Sequence, residues 1–326
     1  MNKLMYRILL LSFFLLLNQS LSAKPVFEEY VKSLKDEAIS KGYEAAFIEQ
    51  TFARVKLREK VVKADKNQPE TKITLDKYLA TRVPDWKVHK AIKLLNENKE
   101  VLAQVERQYG VQKRFIVALW GNESNFGSIQ GNHPVISSLV SLAFDGRREA
   151  MFKKQLFAAL DILKQGHISQ DKFLGSWAGA MGQSQFMPSS FLHYAVDFDG
   201  DGKKDIWNNK ADVFASIANF LKSEGWSDKM TWGRQVKIPE TFDLSNLGLK
   251  RDNVKSLKEW QKLGVTRYSG ETLPNVNLSA SLIAPDGPKG RIYLAYENFH
   301  TLMKWNRSSY FGISVSYLAD RIKKGS

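Results

Sequence analysis

Helical periodicity dominates this chain up to about Ser223 and then gives way, and that change of texture most constrains the fold. The stretch "PVFEEYVKSLKDEAISKGY" opens with a proline and repeats apolar residues at Phe27, Tyr30, Val31 and Leu34, the spacing of one helix face. "PDWKVHKAIKLLNENKEVLAQVERQYG" starts at Pro84 and stops at Gly110, as a helix or helical pair should. Further helical patterns cover Arg148 to Lys164 and Ala211 to Ser223. After Trp226, "WGRQVKIPETFDLSNLG" and "VTRYSGETLPNVNLSASLIAPDGPKGRIYLAY" carry short β-branched runs between Gly, Pro, Asn and Asp, which read as strands and turns. From Phe299 onward the helical spacing returns. The expected fold is mainly α (α+β), a helical core interrupted by a small β unit. The expected division is an N-terminal helical region over 24–83, a core over 84–226, a small β domain over 227–295, and a C-terminal helical segment over 296–326 that returns to the core.

The start, "MNKLMYRILLLSFFLLLNQSLSAKP", places Lys3 and Arg7 ahead of an apolar run from Ile8 to Leu17, followed by small residues ending at Ala23. This is the layout of a secretory signal over 1–23, too short to span a bilayer comfortably; a retained N-terminal anchor is the alternative. The chain has no cysteine, so neither a disulfide nor a lipidated cysteine after the signal is available. A soluble, monomeric protein of a bacterial periplasm is expected. Removal of 1–23, which carries two basic residues and no acidic one, lowers the formal charge from +14 to +12. That balance suits a polyanion or an acidic envelope polymer. Export argues against nucleic acid, and no zinc-finger spacing, RNP-type aromatic motif or basic heptad region is present. The five histidines form no metal-ligand spacing.

Glu123 stands out in "LWGNESNFG". Phe115, Ile116, Leu119 and Trp120 recur at helical spacing, and Glu123 continues their stripe three and four residues on. Gly127 is a helix-stop candidate. A carboxyl on an apolar face near the negative end of a helix resists ionisation through desolvation and through the dipole. Glu123 is therefore the candidate acid. A second constellation is "DFDGDGKKDIW", with carboxylates at Asp197, Asp199, Asp201 and Asp205 and glycine at Gly202. This follows the EF-hand grammar, with the Lys203 carbonyl at the seventh position. Asn208 holds the twelfth position, where a bidentate carboxylate is usual, and Asp212 is a substitute that closes a wider loop. Calcium in a structural role is the expected ion; no organic cofactor is implied.

Four blocks occur in order: "ESNFG", "FDGRREAMF", "GSWAGAMGQSQFMPSSFLHYAVDFDGDGKKDIW" and "YENFHTLMKWN". Together they resemble the membrane-bound lytic murein transglycosylase B family over most of the mature chain. The resemblance implies a lysozyme-like core with an N-terminal helical domain, a small β domain and an EF-hand-like loop over 197–212. It implies cleavage of peptidoglycan glycan strands with a 1,6-anhydromuramoyl product, Glu123 acting as acid and then base. Ser176 and Gln185 are implied to contact the glycan, and Arg147 and Arg148 its anionic peptide or lactyl part. Asn306 and Tyr78 match further site positions. Trp305, Phe311 and Phe220 stand where the family can carry tyrosines, which keeps a stacking face and loses a hydroxyl. For the metal loop, the family pattern favours Asp197, Asp199, Asp201, the Lys203 carbonyl and Asp212 over Asp205. The missing lipidation cysteine points to a soluble relative in peripheral contact with the wall. A hydrolytic muramidase, a catalytically silent glycan-binding protein and a basic envelope scaffold are the competing readings.

Overall fold

The computed structural model describes residues 26–67 and 73–325; the expected signal over 1–23 lies outside them. The chain divides into compact units at residues 53 and 54. The first contains helices α1 (Phe27–Ser40) and α2 (Ala45–Phe52), whose buried side chains include Leu34, Ala38, Ile48 and Phe52.

The second unit opens with α3 (Glu59–Lys66), α4 (Leu75–Arg82), α5 (Asp85–Glu97), α6 (Lys99–Tyr109) and α7 (Lys113–Ser124). The span from Pro84 to Gly110 is thus a helical pair. Asn98 leaves helical geometry at φ −112°, and its side-chain amide donates to the Leu94 carbonyl at 2.7 Å, closing one helix as the next begins. Gly110 ends α6 at φ 68°, the left-handed conformation that glycine adopts without a Cβ clash.

α7 is the axis of this unit. Phe115 through Trp120 are all buried, so apolar residues cover its whole circumference and not one stripe, the signature of a helix enclosed by others. α5, α6, α11 (Lys210–Ser223) and α14 (Ser309–Gly325) pack around it. Beside them lie α8 (Val135–Asp145), α9 (Glu149–Lys164) and α10 (Pro188–Tyr194). A short antiparallel ribbon joins β1 (His133–Pro134) to β2 (Leu174–Gly175).

The β part contains β3 (Gly233–Lys237), β4 (Lys255–Ser256), α12 (Leu257–Lys262), β5 (Thr266–Arg267), β6 (Ser279–Ile283) and β7 (Ile292–Ala295). Its strands pair antiparallel in the order β4-β6-β7-β3-β5. A separate core of Val236, Leu257, Trp260, Leu282 and Leu294 fills it, and the Trp260 indole N–H donates to the Ala280 carbonyl at 2.8 Å. α13 (Glu297–Trp305) then leads into α14, which packs on α7. This is the mainly α architecture with a β part that the sequence texture implies. Among the described residues no helix is long and apolar enough to cross a membrane.

Candidate active site

Glu123 occupies the penultimate position of α7. The helix ends at Ser124, three residues before the expected stop, and Asn125, Phe126 and Gly127 follow with φ of 49°, 60° and 79°. Asparagine tolerates this region and phenylalanine rarely enters it. Packing holds Phe126 there: its ring meets Trp120 edge-on at 5.4 Å and fills the space where a Cβ on Gly121 would stand, 2.6 Å from the ring. The glycine inside "LWGNE" is therefore a seat for Phe126. The Ser124 hydroxyl accepts from the Gly127 amide at 2.9 Å and donates to the Gln183 carbonyl at 2.7 Å. Gln183 in turn accepts from the Trp120 indole and donates to the Trp207 carbonyl, both at 2.8 Å. These bonds tie the end of α7 to the "AMGQSQF" loop.

The Glu123 carboxyl is partly buried, and desolvation pushes its pKa from 4.5 up to about 7. Two contacts oppose that shift. The Trp305 indole N–H, from the end of α13, donates to Glu123 Oε1 at 2.5 Å, and the charge of Arg82 also favours the anion. No acidic group is among the charges that act on this carboxyl within the described residues. Trp305 is held from behind by Phe220 at 4.7 Å and Phe186 at 5.2 Å, and Tyr194 packs on Phe220 at 4.4 Å. The Tyr194 hydroxyl donates to Glu224, which also pairs with Lys304 at 3.1 Å.

Ser176 and Gln185 lie on the same loop system as Gln183. The Ser176 hydroxyl accepts from the Ala180 amide at 3.0 Å, which leaves its own proton to donate. Gln185 sits at φ 50° and donates its side-chain amide to the carbonyls of Gly182 and Gln130, at 2.8 and 3.1 Å. Asn306 caps α13 at the surface and accepts from the Ser308 amide at 3.0 Å. Tyr78 meets Tyr310 edge-on at 5.5 Å and lies under the Arg82 guanidinium at 5.6 Å. Phe311 is buried. Arg147 and Arg148 have a partner the sequence did not suggest: both guanidinium groups converge on the buried carboxylate of Asp65, on α3.

In the acidic loop, Asp197, Asp199 and Asp212 bring carboxylate oxygens within 4.8 Å of one another. Asp212 is fully buried, and burial followed by the charges of Asp199 and Asp197 raises its pKa. Hard oxygens gathered around a buried carboxylate fit a calcium-type cation. Gly202 takes φ 88°, as the sixth position of such a loop requires. Asp201 accepts from the Lys203 amide at 2.8 Å. Asp205 points its oxygen at the amides of Trp207 and Asn208, both at 2.9 Å, so it shapes the following turn and stands outside the carboxylate group.

The chain matches the transglycosylase SLT domain family over residues 26–320. It belongs to that family. This transglycosylase is 27% identical over 299 residues to membrane-bound lytic murein transglycosylase B of Escherichia coli (strain K12), a match that covers 88% of this chain and 81% of the relative. Its fold is similar to that of SltB3 from Pseudomonas aeruginosa in complex with NAG-anhNAM-pentapeptide, at 41% identity and a TM-score of 0.87, over 91% of this chain and 79% of that one. The Escherichia coli lytic transglycosylase Slt35 in complex with calcium is also similar, at 25% identity and a TM-score of 0.78, over 91% and 93% of the two chains.

Two site features of the transglycosylase escaped sequence reasoning. Trp305 reads from sequence as a stacking face, yet its N–H reaches Glu123 across 182 positions. Arg82 carried no signal beyond its place in a helix with Tyr78. Replacement of Trp305 by phenylalanine removes the donor that favours ionised Glu123, so the carboxyl holds its proton to higher pH. The expected result is an alkaline limb of the pH–rate profile displaced upward, with Trp305→Tyr displaced less. An unmoved limb in Trp305→Phe would show that the N–H does not tune Glu123.

Proposed function

We propose that this enzyme cleaves the β-1,4 bond between N-acetylmuramic acid and N-acetylglucosamine in peptidoglycan without adding water, with Glu123 as sole acid and base. Protonated Glu123 gives its proton to the glycosidic oxygen as the C1–O bond breaks. The resulting carboxylate takes the proton from the sugar's own C6 hydroxyl while that oxygen bonds to C1, which closes the 1,6-anhydro ring and restores the acid. The substrate's 2-acetamido group stabilises the cationic centre in between. A pKa near 7 lets one carboxyl serve both steps. The observation that carries this reading is the Trp305 N–H bonded to a Glu123 carboxyl whose pKa burial pushes up to about 7, with no acidic group among the charges acting on it within the described residues. Glycosidases that use water ordinarily pair two carboxyl groups. Ser176 and Gln185 serve as glycan contacts, Asn306 and Tyr78 as outlying ones. Digestion of purified peptidoglycan with mass resolution of the products tests the reaction: fragments one water lighter than hydrolytic ones are expected. Reducing ends instead would establish a muramidase.

The related Slt35 structure with calcium and the carboxylate group here support calcium as a structural ion held by Asp197, Asp199 and Asp212. It would neutralise the acidic loop and fix the start of α11. Saturating calcium should raise Tm by roughly 5 °C, the scale of a ligand at about a hundred times its Kd. Asp199→Asn should remove most of that increment. An equal increment in the variant would place the ion elsewhere. The signal-like start at 1–23 supports a periplasmic location.

A further inference from the structure

Lys87 on α5 is buried at 6% exposure, and no described residue offers its ammonium group a hydrogen bond or an ion pair. An ammonium group withdrawn from water without a partner is costly. Its neighbours increase that cost, because the charges acting on it are those of Arg82 and Lys90, and together with burial they push its pKa down to about 8. The acidic residues of α4 and α5 are engaged elsewhere: Asp76 accepts from Arg291 at 2.6 Å, Asp85 from Arg321 at 2.8 Å, and Glu97 pairs with Lys93 at 3.7 Å. The Lys87 nitrogen is not among the fully enclosed unpartnered polar atoms, so its tip keeps an opening to solvent.

Two members of this cluster, Arg82 and Lys90, reach residues of the candidate active site. Arg82 lies over the Tyr78 ring at 5.6 Å and its charge acts on Glu123. Lys90 donates to the Ser128 hydroxyl at 3.4 Å and stands 5.3 Å from the Phe126 ring, both in the turn that follows Glu123. Meanwhile Arg147 and Arg148, the pair that the family resemblance assigns to the anionic part of the strand, share the one carboxylate of Asp65.

We propose that Arg82, Lys87 and Lys90 form a carboxylate subsite beside Glu123, which receives the acidic substituent carried by the muramic acid of the bound strand. This assignment rests on the peptidoglycan reading of the same site. An incoming carboxylate supplies the missing partner of Lys87 and offsets the mutual repulsion of the three cations.

The test uses the full-length chain with Glu123→Gln to prevent turnover, and two probes: a muramoyl-peptide tetrasaccharide and the same fragment with its carboxyl groups amidated. Adding Lys87→Met should weaken binding of the free-carboxylate fragment roughly ten-fold or more, the scale of one charge-assisted hydrogen bond. The amidated fragment should bind both proteins alike. Tm should stay level or rise in Lys87→Met, since a buried unpaired charge has been removed, whereas a structural lysine would lower it. Arg82→Gln, at an exposed position, gives the same comparison if Lys87→Met does not fold. Undiminished affinity for the free-carboxylate fragment, or an equal loss for both fragments, overturns the subsite. Failure of the peptidoglycan reading is separate: it shows as no anhydromuramoyl release by the wild type.

Discussion

Glu123→Gln should lose the release of anhydromuramoyl products by roughly three to four orders of magnitude, the upper range for removal of a general acid–base, while still binding glycan fragments. The same variant should resist heat better than the wild type, and only above the acidic range. In the folded protein the Glu123 carboxyl titrates near 7, against 4.5 for the free group. The stability associated with the neutral carboxyl is therefore complete below about 4.5 and is lost as pH rises through about 7. Glutamine stays neutral throughout. The two proteins should unfold together at pH 4 and separate by about 2 kcal/mol at pH 8, a figure reduced to allow for the partial solvent contact of the carboxyl. Thermal unfolding at the two pH values decides the matter: a pH-independent difference would mean that burial does not hold the proton on Glu123. In the proposed mechanism the same proton goes to the leaving group, so wild-type kcat/KM should fall as pH rises through about 7.

The second large effect is expected at Gly131. A Cβ there would lie 2.1 Å from the Gly175 carbonyl and 2.5 Å from the Ser176 amide, at φ 91°. All of these are backbone atoms beside the β1–β2 ribbon, and Gln130 next door receives the Gln185 amide. Gly131→Ala must displace the Ser176 loop, so a loss of about 4 kcal/mol or more is expected, at the exceptional end for one substitution. Gly146→Ala is the control. It shares the positive φ, at 85°, but has no atom within 4 Å of the added carbon, so only the backbone term of about 1–2 kcal/mol applies. Urea midpoints of the two variants measure the difference. Similar midpoints would remove the close approach as the reason for glycine at 131.

Helical spacing located α9 and α11 to within one residue of their starts: α9 buries one face and leaves charge on the other, whereas α11 is enclosed from Asp212 to Ala218 and is marked by its apolar run ahead of Gly225. It also singled out Glu123, since an acid continuing an apolar stripe is visible within a dozen residues. It missed the end of α7, where packing against Trp120 holds Phe126 in a left-handed conformation that no local preference announces. It missed the partner of Arg147 and Arg148, because Asp65 looks like any acid in a charged helix until the fold buries it. Lys87 escaped for the same reason. Periodicity reports which side of an element faces inward; it says nothing about which distant side chain waits there.

The contact between Trp305 and Glu123 makes the two carboxyl oxygens inequivalent. An indole N–H donates and never accepts, so Oε1 is held as an acceptor and the acid proton belongs on Oε2. A tyrosine in that place could turn its hydroxyl either way and serve both protonation states. With tryptophan, the two proton transfers of the proposed mechanism, to the departing sugar and from its C6 hydroxyl, would pass through one atom, on one side of the carboxyl. The enzyme thereby presents a single handed face to the strand.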